Sequence, residues 1–142
     1  MAMTYVLLAI SSVYIMVEDV RFQHIPLKGL VLFGAVSLLK QCWEPELEGI
    51  WVALSLAVIL LSFYGLFSFF KHKSTMGTGD LLLGPSCGLW LHFSQLPIFL
   101  VLTGIFGVFL GIYWQYRWKM QTFPFAPALI SGLGVILIMR CF

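Results

Sequence analysis

The sequence predicts an all-α, polytopic membrane protein, a bundle of about six transmembrane helices that forms one domain over residues 1–142. Of these residues 61% are hydrophobic and 10% are charged, with a mean hydropathy of +0.99. Soluble domains carry roughly 45–50% apolar and about 25% charged residues. Within lipid, a helical bundle satisfies its own backbone polar groups. The scattered net charge of +2 gives no reason to expect a nucleic-acid partner.

Six apolar segments are separated by short polar ones, and a spanning helix needs roughly 20 mostly apolar residues. The predicted helices cover about residues 1–17, 27–39, 50–70, 81–93, 98–114 and 128–139. The second follows Ile25-Pro26, because proline suits the first turn of a helix. The fourth and sixth are short, so tilting or local thinning of the bilayer has to accommodate them. The polar segments are a hinge at 18–24, an acidic external loop at 40–49 and a basic aromatic loop at 115–125.

Lysine and arginine sort to one side of this predicted bundle. In or beside the loops after the first, third and fifth helices lie Arg21, Lys28, Lys71, Lys73, Arg117 and Lys119. The other side holds Lys40 and Arg140 together with Glu44, Glu46 and Glu48. Since positive charge marks the cytoplasmic side, we expect a multi-pass membrane protein with its N-terminus outside. Asp19 and Asp80 then both lie near the cytoplasmic surface. Trp90 and Tyr116 are typical of aromatic residues at a membrane interface.

Two acids stand at the ends of apolar segments. Asp19 ends the first apolar run, and Asp80 directly precedes Leu81-Leu82-Leu83. A carboxylate in such a place is costly unless something uses it. The structural alternative is that Asp19 ends a helix and pairs with Arg21, while Asp80 caps the fourth helix. Their placement on one face of the membrane favours a catalytic pair.

Paired carboxyl groups suit peptide hydrolysis. Two carboxyls within hydrogen-bond reach share a proton, because both do not ionise easily. The ionised one can deprotonate a water, and the protonated one can donate to the scissile carbonyl and then to the leaving nitrogen. Gly77 and Gly79 beside Asp80 leave room for a substrate backbone and permit positive φ. Glu18 points about 100° away from Asp19 on a helix, so only one of the two faces the pocket well.

Three blocks of residues resemble the type IV prepilin peptidases, inner-membrane aspartyl proteases that cut the leaders of pilins and pseudopilins. The first is Asp19, a short basic spacer and Ile25-Pro26. The second is Gly77-Thr78-Gly79-Asp80, followed by Gly88-Leu89-Trp90. The third is Pro124-Phe125-Ala126-Pro127. One departure is Leu82, where the family usually has lysine.

The resemblance implies a membrane aspartyl endopeptidase with Asp19 and Asp80 as its catalytic pair. It further implies a substrate-binding or active-site loop role for Gly77, Gly79, Pro26, Pro124 and Pro127. Cleavage is expected after a glycine that ends a basic leader, at the cytoplasmic face, in a type IV pilus or protein secretion system. Nothing in the sequence matches the N-terminal methyltransferase region of the larger members, so we expect a peptidase-only form.

Other classes of protein stay open at this point. A non-catalytic relative with an assembly role would keep the fold, and a small transporter or channel subunit would use the two acids as an ion site. An intramembrane protease acting on signal-peptide remnants is a third option. No CxxC occurs, and no histidine lies at ligand spacing from another ligand, so we expect neither a metal nor a cofactor.

Overall fold

The predicted all-α class is confirmed by the structure, a computed structural model that describes residues 2–23, 25–71, 77–118 and 124–141. Within these residues six α-helices and one 3₁₀ turn occur, and no strand. The helices are α1 (Ala2–Phe22), α2 (Leu27–Trp43), α3 (Leu47–Lys71), α4 (Thr78–Gly88), α5 (Leu96–Trp118) and α6 (Ala126–Cys141), with the 3₁₀ turn at Phe93–Gln95. His24 and Lys73, which the sequence places in connecting segments, lie outside the described residues.

The predicted hinge at 18–24 is wrong for most of its length, because α1 continues to Phe22. The helix ends where Gln23 adopts a left-handed φ of 54°. The Gln23 N–H donates to the Asp19 carbonyl at 2.8 Å, which is the αL form of helix ending. Asp19 therefore lies on the last turns of a helix and not in a loop.

The predicted external loop at 40–49 is also mostly helical, since α2 runs to Trp43 and α3 begins at Leu47. The short turn between the two helices is closed by side chains. Lys40 Nζ donates to Glu46 Oε2 at 2.8 Å, and Gln41 Nε2 donates to the Glu46 carbonyl at 2.7 Å. The acidic residues at 40–49 suggest a loop, but they do not show that Lys40 and Gln41 bind Glu46 and so shorten it.

Among the described residues, three helices are long and apolar enough to cross a membrane. They cover Met3–Phe22, Leu47–Leu66 and Phe93–Arg117, and a shorter apolar helix covers Ala126–Arg140. Large side chains such as Val58 and Phe109 point outward from these helices. Such apolar surface suits lipid, whereas soluble proteins rarely expose large contiguous patches of it.

The short helix α4 lies inside the bundle, where it packs against α2, α3 and α6. Its eleven residues measure about 16 Å, roughly half of the hydrocarbon thickness. The buried face of α4 is Asp80, Leu83, Gly84, Cys87 and Gly88. This spacing of three and four residues is one helix face. The fourth helix thus begins earlier and ends earlier than the predicted 81–93.

At the end of the bundle opposite Asp80, Trp90 is buried inside the protein and does not present its ring to the surroundings. Its Nε1 donates to Ser37 Oγ at 2.9 Å, and Lys40 Nζ lies 5.6 Å from its ring centroid. Glu46 pairs with Lys40 and, at 3.8 Å, with Arg140. These contacts tie α2, α6 and the residues after α4 together, and they fix the far end of the helix that carries Asp80.

Candidate active site

Asp19 belongs to the buried stripe of α1. The stripe consists of Thr4, Leu8, Ser11, Ile15 and Asp19, and its spacing of three and four residues puts these side chains on one face. The Asp19 residue is 3% exposed, whereas Glu18 is only partly buried. Asp19 is thus the acid that faces the interior, as the sequence favours.

Asp80 lies in the first turn of α4 and continues the buried face of that helix, with 9% of its surface exposed. The N-cap is Gly77, whose carbonyl accepts the Asp80 N–H at 3.1 Å. Among the described residues, no group makes a hydrogen bond to the buried Asp80 Oδ1. The interpretation of Asp80 as the cap of the fourth helix is therefore wrong.

The two acids interact electrostatically. Burial first, and the nearby Asp19 carboxylate second, raise the pKa of Asp80 from its usual 3.8 to about 7. Asp80 lies in a helix outside the three candidate spans. Like charges disfavour double ionisation, and with this pKa about half of the Asp80 carboxyls keep their proton near neutral pH. A protonated carboxyl beside a second acid is what acid–base chemistry by a carboxyl pair needs.

The start of α6 forms the third side of the site. The Ala126 N–H donates to Asp19 Oδ2 at 3.2 Å. Pro124 and Pro127, which flank this contact in the sequence, are both buried. The block Pro124-Phe125-Ala126-Pro127 is thus brought to Asp19 by the fold, but through a backbone N–H that the sequence analysis did not identify.

The remaining predicted site residues lie where α2 and α4 begin. Pro26 is the N-cap of α2 and not a residue of its first turn. Its neighbour Ile25 packs against Gly79, where an added Cβ would lie 2.8 Å from the Ile25 Cβ. Among the described glycines none adopts a positive φ. Gly79 therefore provides space for Ile25 of this chain.

We expect Gly79→Ala to destabilise this end of the bundle by about 1–3 kcal/mol, the usual cost of overpacking. The new methyl would overlap a branched carbon close to the backbone, which has little freedom to move. Gly77→Ala is the matched control, since its Cβ would lie 3.5 Å from Asp80 Oδ2, an ordinary contact. Thermal unfolding in detergent should show a lower midpoint for Gly79→Ala than for Gly77→Ala, and equal midpoints would contradict the packing argument.

Among the described residues, no group of three His, Cys, Asp or Glu side chains is placed to hold a metal ion. Among the described residues, the site brings together two carboxyl groups and the Ala126 backbone donor. Ile25 and Ala126 are the contributors that residue-type reasoning missed. The only signal for them in the sequence was their position within the first and third blocks.

Comparison with known proteins supplies the family. The sequence model described as "Type IV leader peptidase family" matches residues 6–112. The chain belongs to this family. The matched range includes both Asp19 and Asp80 and ends before the Pro124–Pro127 block. No solved structure matches the chain.

Three curated relatives of this chain carry the name "Prepilin leader peptidase/N-methyltransferase". The Haemophilus influenzae protein is 31% identical over 91 residues, which is 64% of this chain and 38% of that protein. The Legionella pneumophila protein is 30% identical over 146 residues, which is 89% of this chain and 48% of that protein. The Aeromonas hydrophila protein is 35% identical over 79 residues, which is 53% of this chain and 27% of that protein. The matches thus cover between about a quarter and a half of the relatives' lengths.

Proposed function

We propose that this chain is a membrane aspartyl endopeptidase that removes the basic leader from type IV prepilin or pseudopilin-like proteins. Asp19 and Asp80 are the proposed catalytic pair, and cleavage takes place at the cytoplasmic face of the inner membrane. The observation that carries the proposal is that two buried carboxyls from α1 and α4 interact in a member of the type IV leader peptidase family. Residues 1–142 act as one peptidase domain.

The pair hydrolyses the peptide bond by moving protons between water and the substrate. The ionised carboxyl takes a proton from water while the water oxygen bonds to the scissile carbonyl carbon, and the protonated carboxyl donates to the carbonyl oxygen. Collapse of this intermediate breaks the C–N bond, and the first proton passes to the leaving nitrogen. The second returns to the carboxyl that gave it, so the pair is regenerated.

The charge distribution supports the proposed orientation. Arg21, Lys28 and Arg117 are exposed at the end of the bundle that carries the two acids. At the opposite end, Lys40 and Arg140 both lie within 4 Å of Glu46. Excess positive charge thus accumulates at the site end, which the positive-inside rule places in the cytoplasm. A substrate whose own apolar helix lies in the membrane would present its leader there.

The departure at Leu82 bears on whether the chain is active. Leu82 is 57% exposed and lies off the buried face of α4 that carries Asp80. A leucine there leaves the packing of the carboxyl pair unchanged, so we do not take it as a sign of lost catalysis. The position of both acids at helix ends, away from the middle of the membrane, also favours a peptidase over a transporter subunit.

Co-expression with a prepilin-type substrate tests the proposal. Membranes that contain the chain should convert the substrate to a form shortened by its leader, as seen by gel shift and by mass spectrometry of the new N-terminus. The matched control is the Asp80→Asn variant at equal abundance. A folded wild-type chain that leaves every pilin-like leader intact would overturn the peptidase proposal in favour of the assembly or transport alternatives.

We expect leader cleavage to fall on the alkaline side of neutrality. The mechanism needs one protonated carboxyl, and Asp80, with its pKa raised to about 7, loses its proton above that pH. Each pH unit above the pKa lowers the protonated fraction about tenfold. The rate at pH 8 should therefore be roughly one-tenth of that at pH 6. Measurement of kcat/KM from pH 5.5 to 8.5 on a peptide without titrating groups checks this, and a constant or rising rate above pH 7 would contradict it.

A further inference from the structure

The buried start of α6 leaves one backbone donor for a side chain. The first N–H groups of a helix have no partner within the helix. At α6, Pro127 has no N–H, and Ala128 and Leu129 both donate to the Phe125 carbonyl, at 3.0 and 3.3 Å. The remaining donor is Ala126 N–H, on a fully buried residue, and it donates to Asp19 Oδ2. Asp19 thus completes the hydrogen bonding of this helix start.

The two carboxyl groups of the site have different surroundings. Asp19 Oδ2 accepts an N–H, and such a bond favours the charged form of a carboxyl group. Within the described residues, Asp80 Oδ1 is buried without a hydrogen-bond partner, and an ionised oxygen there is costly. Both acids lie at the start of a helix, Asp80 within α4 and Asp19 against α6, so the helix dipole favours both. The Ala126 N–H is thus a donor that Asp19 has and that Asp80 Oδ1 lacks among the described residues.

We propose that the backbone N–H of Ala126 makes the two acids unequal, so that Asp19 is the ionised base and Asp80 carries the proton. This inference rests on the proposed function. Asp19 takes the proton from water and later gives it to the leaving nitrogen. Asp80 donates its proton to the scissile carbonyl oxygen and recovers it when the intermediate collapses. Ala126 is a positioning residue that acts through its main chain.

Carbon-13 NMR tests the inequality without any need for cleavage. Asp19 and Asp80 are the only aspartates in the sequence, so labelling the aspartate carboxyl carbon gives two resonances. The Asp19→Asn and Asp80→Asn variants assign them. On raising the pH of the wild-type chain in detergent, Asp19 should lose its proton first and Asp80 should hold its proton through pH 6. If Asp80 loses its proton first, or both change together, the proposal is overturned.

Removal of the Ala126 N–H tests whether this donor causes the difference between the two acids. Replacement of Ala126 by lactic acid, an amide-to-ester exchange, deletes this donor and keeps the side chain. The matched control is the same exchange at Ala128, which is also fully buried and whose N–H bonds to Phe125. The exchange at 126 should move the Asp19 midpoint upward by about one pH unit, a tenfold change in proton affinity. It should move the acid limb of the cleavage profile equally, whereas the exchange at 128 should move neither.

An equal shift in both ester variants, or no shift at 126, would overturn the role of Ala126. These outcomes are separable from failure of the proposed function, because the carboxyl titration is read on the resting protein. A chain that titrates as expected but cuts no leader would disprove the peptidase proposal and leave the unequal pair established.

Discussion

Replacing either Asp19 or Asp80 with asparagine is expected to abolish leader cleavage. Asparagine keeps the size of aspartate but neither takes up nor releases a proton near neutral pH. Positioned acid or base groups typically contribute about 10²–10⁴-fold to a rate. Each variant should therefore lose at least about a hundredfold in kcat/KM. The two acids act as a unit, so the double variant should be hardly slower than either single one.

Glu18→Gln is the matched control for these substitutions. Glu18 is the neighbouring acid on α1, only partly buried and turned away from the Asp19 stripe, so its loss should leave cleavage close to that of the wild type. Folding is checked by thermal unfolding in detergent. Asparagine at position 19 still offers an oxygen to the Ala126 N–H, so the α6 start should be retained. A folded Asp80→Asn chain that keeps a tenth of the wild-type rate would disprove the pair.

Gly88→Ala is expected to destabilise the bundle strongly, because the α4 backbone at Gly88 lies close to the α3 backbone at Ala53. A Cβ at Gly88 would lie 2.7 Å from the Ala53 Cα and 2.9 Å from the Ala53 nitrogen. Backbone atoms of α3 have no rotamer that moves them aside, so α3 and α4 would have to separate. Overpacking of this kind costs about 1–3 kcal/mol, occasionally more. Asp80 lies on the same buried face, so cleavage should fall as well.

Gly65→Ala provides the control with the opposite sign. Among the described residues outside its own helix, none comes within 4 Å of a Cβ at Gly65. Alanine is favoured over glycine inside a helix by up to about 1 kcal/mol, so this variant should be as stable as the wild type or slightly more so. Unfolding midpoints of the two variants in the same detergent decide the matter. Indistinguishable midpoints would show that α3 and α4 are not packed this closely.

Part of the candidate site was predictable because its signals are local. The buried stripe of α1 can be read from the sequence, because its residues recur at helical spacing. They are Thr4, Leu8, Ser11, Ile15 and Asp19. The same holds for Asp80 on the α4 face. The three blocks of residues indicated the family, and the family model confirms it.

Helix ends were predicted less well, because partners distant in sequence or specific local geometry decide them. The turn around Pro45 is short since Lys40 reaches Glu46. The first helix passes through polar residues as far as the left-handed Gln23. Trp90 is buried because its ring packs against α2, where it contacts Ser37 and Lys40. Composition and periodicity indicate which side chains of a segment favour lipid, water or the protein interior. They carry no information on which residues pair with one another.

The sequence by itself therefore determined a helical membrane protein, its family and the two acids that face its interior. The tertiary structure alone decided that α4 is a short internal helix and that Ile25 fills the space beside Gly79. It also decided that a backbone N–H 107 positions away meets Asp19. The physical reason is that burial follows from local hydrophobic pattern, whereas the pairing of one donor with one carboxylate depends on how whole helices pack.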